Sequence, residues 1–186
     1  MPVSAIDTWS SIVQEHLKIL STCDALGPLI AQTTKTLKKC LSTGGKIIVC
    51  GNGGSHAQAE HFVAELVVRF QRERGALAGI TLGCNPAVVT ATCNDLGANN
   101  VFLREFQAVY GRHDAVVGIS TSGRSRNVID TLVAARRAGL PTVALTGIRG
   151  IDDAVMHELR VPSGDTARIQ EIHQLVIHAL CQELDD

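Results

Sequence analysis

The chain has no excess of charge of either sign, since 17 Lys and Arg residues balance 18 Asp and Glu residues over 186 positions. A protein that binds nucleic acid by neutralising its phosphates needs clustered positive charge. The balance therefore disfavours nucleic acid as a partner, and it leaves binding to other proteins open.

Long apolar runs are missing as well. No stretch approaches the ~20 apolar residues that a membrane-spanning helix needs. The N-terminal segment carries the acidic Asp7 early and has no basic region before an apolar core, which is unlike a secretory signal. We expect a cytoplasmic protein that makes no contact with a membrane.

The chain also lacks cysteine pairs, because its six cysteines show no C-x-x-C motif and no regular spacing. They are Cys23, Cys40, Cys50, Cys84, Cys93 and Cys181. On the predicted helices and strands of a protein in a reducing cytoplasm, such thiols are usually small buried apolar side chains. We expect all six to be buried and none to form a disulfide.

Linkers, low-complexity segments and internal repeats are absent, and the length suits one α/β domain with a full core. We predict a single domain over residues 1–186, with a helical part over 1–43 and an α/β core over 44–186. Apolar residues at helical spacing predict two leading helices, over 7–21 and 28–41. These two helices exceed what the core needs for cover, so we expect their apolar stripes to contact other subunits.

From residue 46 onwards, short apolar runs alternate with helical segments. The predicted strands cover residues 46–50, 77–82, 115–120, 141–146 and 158–162. The predicted helices cover residues 56–70, 86–110 (as one or two helices), 125–138 and 166–183. Short, wholly apolar strands separated by helices are typical of a parallel sheet that is covered on both faces. The predicted fold class is α/β, with a doubly wound, five-stranded parallel sheet.

Ligands of open α/β sheets bind beyond the carboxyl ends of the strands. The loops there cover residues 51–55, 93–97, 120–125 and 146–150. The first, Gly-Asn-Gly-Gly-Ser, opens a helix, and its glycines let the backbone approach an anion. It fits neither a dinucleotide fingerprint, whose third glycine is replaced by His56, nor a P-loop, since no Gly-Lys-Ser/Thr follows. By itself it is either a binding loop or a tight turn.

The loop over residues 120–125, Ser-Thr-Ser-Gly-Arg-Ser, is richer in polar groups. It places four hydroxyls, a glycine and a cation between a buried strand and a helix, where a phosphate binds without a metal. One hydroxyl is enough to cap the helix, and we expect one of the four to do only that. The excess of hydroxyls predicts a phosphate-binding loop.

A group of metal-binding type lies on two predicted helices. His61 and Glu65 are four residues apart and share one helix face, about 40° apart around the axis. An imidazole and a carboxylate so placed suit zinc or a similar divalent ion, although a surface hydrogen bond is the commoner role of such a pair. The last helix adds Gln170, His173 and His178 as candidates. His178 lies among apolar neighbours, where a buried core histidine is the alternative interpretation.

Over nearly its whole length the chain resembles the phosphoheptose isomerases, which belong to the sugar-isomerase (SIS) family. The resemblance rests on the segments GNGGSHAQAEHFVAEL, ATCNDLG, GISTSGRSRNVI, VALTG and RIQEIHQLVIH. The STSG segment alone would indicate only the SIS fold, a flavodoxin-like sandwich. The resemblance implies conversion of sedoheptulose 7-phosphate to D-glycero-D-manno-heptose 7-phosphate, the first step of ADP- or GDP-heptose biosynthesis.

The resemblance also implies a site. One metal ion, usually zinc, would be held per site by His61, Glu65, Gln170 and His178, and Glu65 and His178 would be the acid/base residues. The implied substrate contacts are Asn52, Gly53, Gly54, Ser55, Glu65, Asn94, Asp95, Ser120, Thr121, Ser122, Ser125 and Gln170. Two positions depart from the pattern: Ala167 stands where some members have Asp, and Arg124 stands where a neutral residue is common.

These residue types suit the exchange of a ketose and an aldose through an enediolate. A carboxylate can act as base, an imidazole can carry protons near neutral pH, and a divalent ion can stabilise an oxyanion. Binding to a metal weakens a carboxylate as a base. Whether Glu65 is ligand, base or both therefore stays open.

Two other functions compete with this one. Some SIS relatives are not enzymes and regulate the replication initiator protein, but they lose the metal and acid/base residues. His61, Glu65 and His178 are all present here, which favours the enzyme. The third alternative is an isomerase of another sugar phosphate, because a phosphate-binding loop does not read the length of the sugar.

The spacing of the ligands bears on assembly. Gln170 and His178 are eight residues apart on one helix, a rise of about 12 Å. Because metal–ligand bonds are only ~2 Å long, the side chains of Gln170 and His178 can hardly reach one ion across this rise. Ligands from a neighbouring chain would relieve this, and the resemblance implies a homotetramer with sites at subunit interfaces. We expect a homotetramer with shared active sites.

Overall fold

The computed structural model describes residues 5–151 and 155–185. The helices are α1 (Ala5–Leu20), α2 (Leu26–Ser42), α3 (Gly54–Val67), α4 (Pro86–Asp95), α5 (Val101–Val109), α6 (Arg126–Arg137) and α7 (Thr166–Leu184), with a 3₁₀ turn over Ala98–Asn100. The strands are β1 (Ile47–Gly51), β2 (Gly79–Thr81), β3 (Ala115–Ser120), β4 (Thr142–Thr146) and β5 (His157–Arg160).

Within the described residues, the five strands form one parallel sheet in the order β2-β1-β3-β4-β5. Strands β1, β3 and β4 are buried along their whole length. Helices cover both of their faces, which explains why these strands are apolar throughout. The predicted α/β fold with a doubly wound parallel sheet is confirmed.

Two apolar cores lie on the two faces of the sheet. On one face, β1 contributes Ile47 and Val49 to a core with α2, α3 and α7, where Leu37 is fully buried. On the other, β1 contributes Ile48 and Cys50 to a core that includes α5 and α6. Successive strand residues alternate between the cores because neighbouring side chains of a strand point to opposite faces.

The chain progresses in opposite directions from β1 and from β3, and these two strands are neighbours in the sheet. The loops after them therefore leave a crevice between them, which is the place where doubly wound sheets bind ligands. Gly51 ends β1 and is paired in register with Ile119, the penultimate residue of β3. The sheet thus brings the loops over residues 51–55 and 120–125 side by side.

The segment over 86–110, predicted as one or two helices, forms two that are separated by a turn at Gly97, whose φ of 86° is a conformation that favours glycine. Other predicted boundaries were wrong. Strand β2 is shorter than predicted and lies at an edge of the sheet. Helix α3 ends at Val67, where the Arg74 side chain donates hydrogen bonds to the carbonyls of Leu66 and Glu65.

The two leading helices differ in how the chain itself covers them. Helix α2 packs against the sheet and α7, and its Leu37 and Cys40 belong to the core. Helix α1 contacts α7, yet its Ile6, Trp9 and Leu17 are 78%, 67% and 56% exposed. The apolar surface available to another subunit is therefore on α1. Within the described residues, no helix has both the length and the apolar character needed to cross a bilayer.

All six cysteines are free. Burial raises the pKa of Cys50 and of Cys181 to about 12, so both stay protonated at neutral pH. The prediction that all six are buried was wrong for Cys84 and Cys93, which are exposed. Cys84 lies in the loop after the edge strand β2, and Cys93 lies on α4, of which only Thr92 is buried.

The buried carboxylate of Asp185 connects the C-terminal end of α7 to the segment after α3. Asp185 accepts hydrogen bonds from the backbone amides of Gln71 (2.7 Å) and Arg72 (3.0 Å) and from Arg74 Nε (2.6 Å). Desolvation raises the pKa of Asp185, but these hydrogen bonds outweigh it and lower the pKa to about 2.

We expect this carboxylate to make folding sensitive to acid. Its pKa is lower in the folded chain than in the unfolded one, so its stabilising contribution is present above the ordinary Asp pKa of ~3.9. The contribution is lost as the pH falls from about 4 towards 2. Asp185→Asn should lower the melting temperature at pH 7 and flatten its fall between pH 4 and pH 2.

Asp130→Asn is the matched control, because Asp130 pairs with Arg126 one helical turn away, in an ion pair whose Arg126 side chain is exposed. The melting temperature of this control should fall in acid as that of the unmodified chain does. An equally steep fall between pH 4 and pH 2 in Asp185→Asn would contradict the assignment.

Candidate active site

A cleft of about 320 Å³ opens at the crevice between β1 and β3. It is lined by Gly51, Asn52, Gly53, His56, Gly83, Val89, Ala98, Val101, Phe102 and Asn127. The side-chain amides of Asn52 and Asn127 exchange two hydrogen bonds of 2.9 Å. These bonds join the loop after β1 to the first turn of α6 and fix one wall of the cleft.

The glycines of the first loop serve two physical purposes. Gly53 has a φ of 54°, which favours glycine, and directs the chain into α3. Gly54 lies against the side chain of Gln170, since a Cβ at this position would be 2.5 Å from Gln170 Nε2. The loop is therefore shaped both to start a helix and to admit a side chain of α7.

The hydroxyls of the second loop are not used to cap α6. Ser125 occupies the N-cap position, but its side chain makes no capping hydrogen bond and instead accepts one from Ser120 Oγ (2.9 Å). Ser122 Oγ accepts from the amide of Arg124 (3.2 Å). The expectation that one hydroxyl serves only as a cap therefore does not hold for Ser125. The geometry keeps this hydroxyl within the loop, where it can contact an anion.

Close packing holds the second loop in place. Gly123 has a φ of 61°, and a Cβ there would lie 2.2 Å from the carbonyl oxygen of Gly150. The amide of Gly147 donates to the carbonyl of Thr121 (3.1 Å). The loop over residues 120–125 is thus supported by the loop after β4, which gives it a defined shape for a phosphate.

Three of the predicted metal-binding residues come together where α3 packs on α7. His61 Nε2 lies 3.0 Å from His178 Nε2 and 3.5 Å from Glu65 Oε1. Bonds of ~2.0–2.1 Å to a tetrahedral zinc ion separate neighbouring ligand atoms by about 3.3 Å. The two distances bracket that value, so His61 lies at the spacing of neighbouring ligands from both other residues of the same chain. The three donor atoms do not all lie within 4.8 Å of one another, so Glu65 or His178 would have to rotate for the three to bind one ion.

Gln170 is placed differently from these three residues. The side-chain amide of Gln170 lies against Gly54. The backbone carbonyl of Gln170 accepts a hydrogen bond from Gln58 Nε2 (2.7 Å). The amide in contact with His178 is that of Gln174, at 2.9 Å from Nε2 to Nε2. The long rise between Gln170 and His178 explains the difference, since Gln174 is only one helical turn from His178.

Gln174 and Gln58 were not predicted from the sequence as residues near the histidines. Gln58 Nε2 lies 3.5 Å from Gln174 Oε1, so the two amides link α3 to α7 beside the histidines. Residue 174 is four positions after Gln170 and four before His178, and this periodicity was the available signal. No comparable signal pointed to Gln58.

His173 belongs to the core. It is fully buried, and its Nε2 donates to the carbonyl oxygen of Thr146 (3.1 Å). Burial lowers the pKa of His173 to about 4, and the hydrogen bond opposes this only in part. The ring is therefore neutral at physiological pH, which makes His173 a structural residue of α7.

The remaining predicted contacts lie outside the cleft of one chain. Asn94 and Asp95 end α4, are exposed, and are joined by a hydrogen bond of 2.7 Å between their side chains. Among the described residues, the lining of the cleft includes neither these two, nor Glu65 and His178, nor any residue of the loop over 120–125. The cleft of one chain therefore contains only part of the predicted site.

The chain is similar to known proteins in sequence and in fold. The sequence model of the SIS domain family matches residues 13–147. The chain is 46% identical over 175 residues to phosphoheptose isomerase 1 of Campylobacter jejuni, covering 93% of this chain and 94% of that one.

Two solved structures are similar throughout. The phosphoheptose isomerase GmhA of Neisseria gonorrhoeae superimposes with a TM-score of 0.90 and that of Francisella tularensis with 0.92. Each is 35% identical, and each comparison covers 98% of this chain and 99% of the other.

Proposed function

Because the chain belongs to the SIS domain family, and within it to the phosphoheptose isomerases, we propose that it converts sedoheptulose 7-phosphate to D-glycero-D-manno-heptose 7-phosphate. The observation that carries this proposal is that His61 lies 3.0 Å from His178 and 3.5 Å from Glu65, in a chain that also has the hydroxyl-rich loop over residues 120–125. This conversion would be the first step of ADP- or GDP-heptose biosynthesis.

The phosphate would be bound by the loop over residues 120–125. Its hydroxyls come from Ser120, Thr121, Ser122 and Ser125, and the N-terminus of α6 adds free amides and the positive end of the helix dipole. Arg124 adds a positive charge next to the loop. The substrate is then anchored at one end, which leaves the ketose end free to reach the acid/base group.

The reaction moves protons between two adjacent carbons. In the proposed mechanism Glu65 removes a proton from C1 of the ketose, the electron pair forms the C1–C2 double bond, and the C2=O double bond becomes the C2–O2 oxyanion of an enediolate. His178 then delivers a proton to C2, the proton of O1 passes to O2, and the C1=O double bond of the aldehyde forms. A carboxylate and an imidazole are suitable for the two roles, because both can exchange protons near neutral pH in a protected site.

His61, Glu65 and His178 have the donor types that zinc prefers, and an amide from Gln170 or Gln174 would complete four ligands. When bound there, the ion would supply positive charge to the substrate oxygens and so lower the cost of the enediolate. The family resemblance favours Gln170, whereas the contact with His178 favours Gln174. Glu65 would act as base towards the substrate through the oxygen that does not bind the ion.

A direct assay tests this function. The purified protein, supplied with Zn²⁺, should convert sedoheptulose 7-phosphate to the aldose, followed by NMR of the anomeric protons. Ketose phosphates with shorter chains serve as comparison substrates and should turn over more slowly. Absence of turnover with sedoheptulose 7-phosphate, or faster turnover of another ketose phosphate, would overturn the proposed substrate.

Ser122→Ala and Ser125→Ala should weaken substrate binding more than they slow the chemical step. The phosphate lies far from the reacting carbons, so we expect KM to rise by about tenfold, the effect of losing one hydrogen bond to a charged group. The kcat value should change much less. Steady-state kinetics on both variants measures the two effects separately.

Ser42→Ala provides a control, because Ser42 is an exposed serine at the end of α2 whose hydroxyl donates to the carbonyl of Lys39 (3.0 Å). Unchanged KM values in both Ser122→Ala and Ser125→Ala would remove these residues from the phosphate site.

We further propose a homotetramer whose active sites are shared between chains. The proposal is supported by the separation of Glu65 and His178 from the cleft within one chain, and by the exposed Ile6, Trp9 and Leu17 of α1. Trp9→Lys should shift the mass measured by light scattering towards smaller species and lower activity with it. An unmodified protein that is active as a monomer would overturn the proposal.

A further inference from the structure

A second group of metal-binding type lies at the rim of the cleft. It consists of His56 in the first turn of α3, Glu60 one turn later, and Cys84 in the loop after β2. Cys84 Sγ is 3.9 Å from His56 Nε2 and 3.6 Å from Glu60 Oε1. One donor atom from each of the three residues lies within 4.8 Å of the other two.

These distances suit a tetrahedral ion. With bonds of ~2.3 Å to sulfur and ~2.0–2.1 Å to nitrogen and oxygen, the sulfur of a zinc site lies about 3.5 Å from its neighbouring donors. The observed 3.6 and 3.9 Å need only small side-chain rotations to reach that value. A thiol together with an imidazole selects zinc or cobalt over magnesium or calcium, which prefer oxygen ligands only.

The surroundings hold the donors in position. The His56 ring is stacked against Phe102, with an interplanar angle of 13° and centroids 6.5 Å apart. The amide of Gly83, next to Cys84, donates to Glu105 Oε2 at 2.7 Å. Two carboxylates, those of Glu60 and Glu105, therefore lie close to the thiol, and this charge favours a bound cation.

This group is separate from the one formed by His61, Glu65 and His178. Residues five positions apart on a helix differ by about 140° around the axis. Helix α3 therefore presents His56 towards β2 and the cleft, and His61 towards α7. One ion cannot bind to both groups.

We propose that His56, Glu60 and Cys84 bind a second divalent ion of the zinc or cobalt class. Three protein ligands leave the fourth position of a tetrahedral ion open, as in zinc sites that accept water or a substrate group. Of the three ligands, His56 lines the cleft, so the site lies at its rim. A hydroxyl or anionic group of a molecule in the cleft is the kind of ligand that the fourth position would accept.

Cobalt provides a test that is specific for the thiol. Metal-free protein titrated with Co²⁺ should develop a near-ultraviolet thiolate-to-cobalt charge-transfer band. That band requires a cysteine ligand, so the His61–Glu65–His178 group cannot produce it. Cys84→Ser should lose the band and should bind one Zn²⁺ fewer per chain in an equilibrium titration.

Three further variants show which residues bind the cobalt ion that gives the band. Cys93→Ser removes the other exposed thiol and should keep the band. His61→Ala removes a ligand of the other group and should also keep it. His56→Ala should weaken the cobalt affinity that the band reports by ~10-fold or more. The band does not depend on turnover, so its result is independent of the proposed isomerase activity.

The proposal is wrong if the unmodified protein shows no charge-transfer band, or if the band survives in Cys84→Ser. Circular dichroism of Cys84→Ser verifies that the fold is intact, as expected for a small polar substitution at an exposed position.

Discussion

Glu65→Gln is expected to lower the turnover of sedoheptulose 7-phosphate by two or more orders of magnitude. Loss of a general acid or base typically costs ~10²–10⁴-fold in rate. Glu65 lies on α3 with Oε1 3.5 Å from His61 Nε2, and its carboxylate is proposed to remove the C1 proton. Gln has nearly the same volume, so the fold should be retained while the base is lost. Steady-state kinetics together with thermal unfolding measures both properties.

Glu73→Gln is the matched control for this variant. Glu73 lies beyond the end of α3, is 88% exposed, and pairs with Arg69 on the surface. Loss of the Glu73 charge should leave kcat and the melting temperature unchanged within error. Near-normal turnover in Glu65→Gln would remove Glu65 from the mechanism, whatever its role as a ligand.

His178→Gln should also lower turnover by two or more orders of magnitude, and subunit exchange should not restore it. The His61–Glu65–His178 group is assembled within one chain, at 3.0 and 3.5 Å. A Glu65→Gln chain and a His178→Gln chain each carry one defective group, so a mixed tetramer contains no intact one. Activity after mixing the two variants under exchange conditions should stay at the level of either variant alone.

The mixture needs a demonstration that chains have exchanged, which native mass spectrometry of differently tagged variants provides. Recovery of activity in verified mixed tetramers would show that Glu65 and His178 of one site come from different chains. A bound-metal measurement on His178→Gln adds an independent result, since loss of a ligand should lower the zinc content per chain.

The fold class followed from hydrophobic patterning alone. Residues 115–120 were predicted as a strand and form β3 with the same bounds. A short run that is buried throughout and ends at a turn is typical of a central strand. The segment 86–110 was less determined. The polar segment over residues 94–97 indicates a turn there but does not decide between one helix and two, and the packing of α4 and α5 decides where each helix ends.

The candidate site was predicted in part. Positions four apart on one helix must share a face, so the pairing of His61 with Glu65 was readable from the sequence. The partner of His178 was not readable, since Gln170 and Gln174 both lie on the same side of α7. Their side chains diverge because Gln170 packs into the space that Gly54 leaves open, while Gln174 meets His178 and Gln58.

By itself, the sequence determined the order of the strands and helices and the composition of the loops over residues 51–55 and 120–125, because these depend on local periodicity and on short segments. Only the tertiary structure decided which distant residues meet. It joined His178 to His61 across 117 positions, and it brought Cys84 to His56 and Glu60 at the edge of the sheet. Such contacts depend on how helices cross and strands align, and the spacing of residues along the chain does not encode that geometry.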